Sequence, residues 1–127
     1  VSSSEEIEHV VPQLRRFARA ASGDKRVADL CVERALAGLL RAVTAEENIE
    51  GLSDHKNLYR VVEKELEAEA GGSFEKRAWR ALILVYVEEF SVFEAGHILG
   101  IEAGNVKDMI ASAEAFAEEV MEENLEL

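Results

Sequence analysis

Apolar residues recur at helical spacing along the whole chain and nowhere alternate with period two, which predicts an all-α protein. Ile7, Val10, Leu14, Phe17 and Ala21 share one face of a first helix, and Ser22-Gly23-Asp24 closes it. Pro12 either opens the regular part of that helix or bends it, since proline removes one backbone donor. A second helix is expected from about Lys25 to Val43, with Val27, Leu30, Cys31, Leu36, Leu39, Leu40 and Val43 apolar. Residues 44–52 read as a polar, acidic loop. Ser53 or Asp54 can cap a third helix in which Leu58, Tyr59, Val62 and Leu66 share a face. The adjacent glycines of Ala70-Gly71-Gly72-Ser73 mark a hinge. Two small helical lobes follow from this, 1–70 and 71–127.

The second lobe carries a helix-turn-helix pattern. Leu82-Ile83-Leu84-Val85-Tyr86 precedes Phe90-Ser91-Val92-Phe93-Glu94-Ala95-Gly96-His97-Ile98-Leu99-Gly100-Ile101, and Gly104-Asn105-Val106-Lys107 opens another helix. Ser91 and Glu94 have capping-box spacing, and Gly100 stands where a helix stop belongs. The last helix should start near Ala103, with Val106, Met109, Ile110, Ala113, Phe116, Ala117 and Val120 on one stripe. Trp79, Ile83 and Tyr86 are expected to pack inward, while Val92 and Phe93 are candidates for exposure and hence for a contact surface.

Charge changes this picture. A reader of DNA enters the major groove with its second helix and neutralises phosphates with Lys and Arg. Here Lys107 is the only Lys or Arg after Arg80, and Asp108, Glu114, Glu118, Glu119, Glu122 and Glu123 would face a polyanion. The net charge of −12 points the same way. Arg15, Arg16, Arg19, Lys25 and Arg26 form the one basic cluster, read as a solvated face because Glu5, Glu6 and Glu8 lie just upstream. Catalytic signatures are lacking: there is no phosphate-cradling glycine loop, nucleophile elbow or paired metal-ligand spacing. His9, His55 and His97 are far apart, and Glu63 with Glu67 reads as a solvated helix face. No catalytic, cofactor or metal residue is therefore assigned. Cys31, the single cysteine, reads as a reduced core residue, and with no signal peptide or membrane-length apolar run the expected location is the cytoplasm.

Leu14-Arg15-Arg16-Phe17-Ala18-Arg19-Ala20-Ala21-Ser22-Gly23-Asp24, then Ala28 to Leu36, then Leu82 to Ala113, resemble regions two and four of extracytoplasmic-function sigma factors. In that family the recognition helix continues with several basic residues. Here it continues Asp108-Met109-Ile110-Ala111-Ser112-Ala113-Glu114, and the first region lacks an aromatic and basic cluster where Leu39, Leu40 and Arg41 stand. Pro12-Gln13-Leu14-Arg15-Arg16-Phe17-Ala18-Arg19 and Asn57-Leu58-Tyr59-Arg60-Val61-Val62 are more similar to the sigma-like output domain of PhyR-type response regulators. That resemblance implies a mimic: freed by a phosphorylated receiver domain, it sequesters a NepR-like anti-sigma factor and releases a sigma factor for stress transcription. No receiver pattern follows, so an isolated piece of such a regulator and a stand-alone relative both stay open. The alternatives are a DNA-binding sigma factor working with RNA polymerase and a plain helical bundle. For the mimic, Val92, Phe93, His97 and Met109 are the candidate partner-binding residues, with Val106 and Ile110 taken as structural.

Overall fold

The structure, a computed structural model, describes the backbone of residues 3–44 and 55–125 and the side chains of 7–42, 55–119, 121 and 122. Among the described residues there are six helices and no strand. The chain divides into two compact units, residues 1–72 and 73–127.

The first unit holds α1 (Ser3–Ser22), α2 (Lys25–Thr44) and α3 (His55–Ala70). Val10, Leu14, Phe17 and Ala18 of α1 are buried against Ala28, Cys31, Val32 and Ala35 of α2 and Leu58, Tyr59, Val62 and Leu66 of α3. These positions repeat every three or four residues, so each helix offers one apolar stripe and three stripes close one core. The Phe17 and Tyr59 rings meet at 5.4 Å, tilted by 52°. Pro12 sits inside α1, where its exposed ring and missing donor are tolerated on the water side. The stop after α1 is built locally. Gly23 adopts φ 69°, its N–H donates to the Arg19 carbonyl at 2.9 Å, and Asp24 Oδ1 accepts from the Arg26 N–H at 2.8 Å to start α2. Arg34 of α2 pairs with Glu69 of α3 at the surface. The expected cap at Ser53 or Asp54 and the loop beyond Thr44 lie outside the described residues.

The second unit holds α4 (Phe74–Tyr86), α5 (Val92–Leu99) and α6 (Ala103–Leu125). Its core is Ala78, Ala81, Ile83 and Leu84 of α4, Ala95, Ile98 and Leu99 of α5, and Val106, Met109 and Ile110 of α6. Ser91 and Glu94 make the full capping box at the start of α5. Gly100 ends α5 at φ 73°. The Ile101 N–H then donates to the Gly96 carbonyl at 2.9 Å, folding the turn back over α5. Arg77 Nη2 donates to the Leu99 carbonyl at 3.1 Å, tying α4 to the C-terminal end of α5, where a cation is favoured.

Four expectations are corrected. Trp79 and Tyr86 are 45 and 63% exposed, not packed, because α4 turns its Ala78–Ala81 side inward and the small residues let neighbouring helices approach. Met109 is 7% exposed and belongs to the core with Val106 and Ile110. The stripe of α6 does not stay buried: Phe116 and Ala117 face solvent. Glu63 is buried within the α3 stripe rather than part of a solvated face.

Candidate functional site

Five of the second unit's six aromatic side chains are exposed, Phe74, Trp79, Tyr86, Phe93 and Phe116, and Phe90 is half-buried. Phe74, Trp79, Phe116 and Met121 surround a groove between α4 and α6 with a cavity of about 420 Å³. The groove exists because α6 continues past the end of its own core. Once Ile110 is buried, further turns of the helix carry Ala113, Phe116, Ala117 and Met121 along the first half of α4, where Phe74, Ala78 and Trp79 face them. Glu75 also lines this groove.

At the other end of α4, Tyr86 hydrogen-bonds to Glu114 of α6, and that bond with the carboxylate's charge raises the Tyr86 hydroxyl above its ordinary range. On α5, Phe93 is 76% exposed, His97 is exposed and Val92 is half-buried. Met109 lies beneath them in the sense of burial, as part of the core that holds α6 in place. Sequence reasoning passed over the α4–α6 groove. Phe116 shares the helical stripe of Val106 and Ile110, and only the length of α6 beyond its core, which the pattern does not reveal, exposes it.

The outward face of α6 presents Lys107, Asp108, Glu114, Glu118 and Glu119 to solvent. A phosphate backbone laid along it would meet one cation and four carboxylates. In the first unit, Arg15, Arg19 and Lys25 line a polar cleft, but Asp29 and Glu33 line it too, and Arg19 stands 3.6 Å from Asp29. That cleft is close to neutral, which makes it a poor seat for a polyanion. Cys31 is inert as a nucleophile: burial first, then the charges of Glu69 and Glu65, push its thiol up to about 11. Among the described residues no cluster of His, Cys, Asp or Glu could hold a metal ion, and no helix is long and apolar enough to cross a membrane.

Residues 7–63 match the family model described as the Sigma2 domain of PhyR, and residues 75–119 match that of the sigma-like domain of the response regulator PhyR. Among solved structures, the response regulator PhyR from Brucella abortus is similar at 28% identity and a TM-score of 0.71, over 91% of this chain and 44% of that one. The anti-anti-sigma factor PhyR from Bartonella quintana is similar at 26% identity and 0.70, over 90% and 46%. The same Bartonella quintana protein in complex with the anti-sigma factor NepR shares the fold at 0.76 and 23% identity, over 93% and 51%. The chain thus spans about half the length of these relatives. No curated protein matches the sequence.

Proposed function

We propose that this chain, which belongs to the family of PhyR sigma-like domains, is a sigma-factor mimic. It binds a small anti-sigma factor of the NepR kind and so releases the sigma factor which that protein holds. Residues up to the Gly71-Gly72 hinge take the place of sigma region two, and the following residues that of region four with its helix-turn-helix. Capture is gated by a phosphorylated receiver domain in the complete regulator, acts in the cytoplasm, and involves no catalysis.

The carrying observation is the pairing of sigma-like helices with an acidic α6. Lys107 is followed by exposed Asp108, Glu114, Glu118 and Glu119 where a promoter reader needs cations. A mimic must present the surface an anti-sigma factor recognises and has no need of DNA. Phe93, Val92 and His97 on α5 supply part of that surface, and Met109 supports it from within. Support also comes from the Bartonella quintana relative, solved with NepR bound.

The test is calorimetric titration of the chain with the NepR-type anti-sigma factor of the same organism, beside a promoter-length duplex. Binding of the anti-sigma factor at about 1 μM or tighter, with no DNA binding at physiological salt, is expected. Micromolar DNA binding with a steep salt slope would instead establish a DNA-binding sigma factor.

A further inference from the structure

Among the described helices α5 is the shortest, with eight residues, and it carries Phe93 and His97 one turn apart on its outer face. Its inner face is Ala95, Gly96, Ile98 and Leu99. Ala95 and Gly96 offer almost no side chain to interlock with a neighbour, so packing alone resists a roll of α5 about its axis only weakly. Such a roll matters at the outer face. About 20° of it would move a side chain at the roughly 6 Å outer radius of a helix by about 2 Å. Binding groups have to be held to within about 0.5 Å.

The two ends of α5 are held differently. At the start, the Ser91–Glu94 capping box is made within the helix itself and sets no angle to the rest of the unit. At the end, the Leu99 carbonyl is one of the last four of the helix, which have no donor within it. Arg77 of α4 supplies one, its Nη2 donating to the Leu99 oxygen at 3.1 Å. Arg77 is half-buried, one turn from buried Ala81 and two turns from buried Leu84 on the same arc of α4. It therefore reaches α5 from an anchored part of the unit, with its charge set against the negative end of the α5 dipole. The bond from the Ile101 N–H to the Gly96 carbonyl folds the following turn back on α5 and gives no hold on α4.

We infer that Arg77 is a positioning residue for anti-sigma capture: its bond to the Leu99 carbonyl sets the roll of α5, and with it the places of Phe93 and His97. The inference rests on the reading of the α5 face as a partner contact, and it adds a residue that acts from behind that face.

The experiment uses Arg77→Met, which keeps a long stem and removes the donors. Hydrogen exchange of the free chain comes first. Arg77→Met should speed exchange of the α5 amides by at least about fivefold and leave those of α1, α2 and α3 as in the parent. Calorimetric titration with the NepR-type anti-sigma factor, well below the melting transition, then reads the consequence. Arg77→Met should weaken binding by about five- to tenfold. In a background carrying Phe93→Ala and His97→Ala the same substitution should cost less than about twofold, because the side chains it positions are gone. Equal losses in both backgrounds would mean that Arg77 touches the partner or only stabilises the fold, and the positioning role falls. It falls alone if Arg77→Met leaves α5 exchange unchanged, or binds as tightly as the parent while the Phe93→Ala, His97→Ala variant does not. If that double variant binds as tightly as the parent, the α5 contact surface is overturned and the positioning role goes with it. If the unsubstituted chain ignores the anti-sigma factor, the capture reading itself falls, and both go with it.

Discussion

The two units treat their large apolar side chains in opposite ways. The first buries Val10, Leu14, Phe17, Leu58, Tyr59 and Leu66, and among the described residues Leu40 is its one exposed large hydrophobic. The second buries mostly medium and small residues, Ala78, Ala81, Ala95, Leu84 and Ile98 among them, and exposes Phe74, Trp79, Tyr86, Val87, Phe93, Phe116 and Met121. Both are three-helix units of similar design, so the difference is not one of fold class. Apolar surface kept in water forgoes roughly 25 cal/mol for each Å². A unit that keeps so much of it gains by having the surface covered by something else. The first unit closes its large side chains into its own core, and the second leaves many of them in water.

That contrast is tested most strongly by swapping the same residue type across it. Phe17→Ala opens a void in the first core and should lower stability by about 3–5 kcal/mol. Phe116→Ala removes a ring that already faces water and should change stability by no more than about 0.5 kcal/mol. Denaturant titration followed by helical circular dichroism reads both. Equal losses would end the distinction between inward and outward aromatics.

A smaller effect is expected at the turn between α5 and α6. A Cβ at Gly96 would stand 2.7 Å from the Ile101 carbonyl oxygen, a backbone atom that cannot swing aside. Gly96→Ala should therefore destabilise the second unit by about 1–3 kcal/mol. At Gly104, in the first turn of α6, a Cβ meets nothing within 4 Å, and Gly104→Ala should be neutral or stabilising by up to about 1 kcal/mol. Melting curves of the two variants should move in opposite directions or differ in size. If they coincide, the close approach at Gly96 does not hold the turn.

The smallest effect belongs to the capping box. Ser91 accepts from the Glu94 N–H at 3.1 Å while Glu94 Oε1 accepts from the Ser91 N–H at 3.0 Å. Ser91→Ala should lower the stability of the second unit by about 1 kcal/mol, seen as a drop of a few degrees in its melting temperature. A larger loss would mean that the short α5 depends on its cap more than on Ile98 and Leu99.

Local chemistry made much of this legible. The stops at Gly23 and Gly100, the capping box at Ser91 and the start of α6 near Ala103 each depend on a few neighbouring residues, and each stands where the sequence places it. The acidic recognition helix is likewise a property of residue identity, and Asp108 and Glu114 face solvent as their charge requires. Orientation was less legible. Trp79, Ile83 and Tyr86 follow helical spacing as well as Ala78, Ala81 and Leu84 do, and spacing alone does not say which arc of α4 turns inward. Met109 and Phe116 lie on one stripe, yet one is core and the other is groove wall.

By itself, then, the sequence determined the all-helical class, the stops at Gly23 and Gly100, the capped start of α5 and the sign of the charge on α6, because these follow from backbone conformation and residue identity within a turn or two. Only the tertiary structure decided which apolar residues form core and which form surface. That choice depends on where neighbouring helices end. α6 outruns the core it shares with α4 and α5 after Ile110, and beyond that point Phe116, Ala117 and Met121 face solvent.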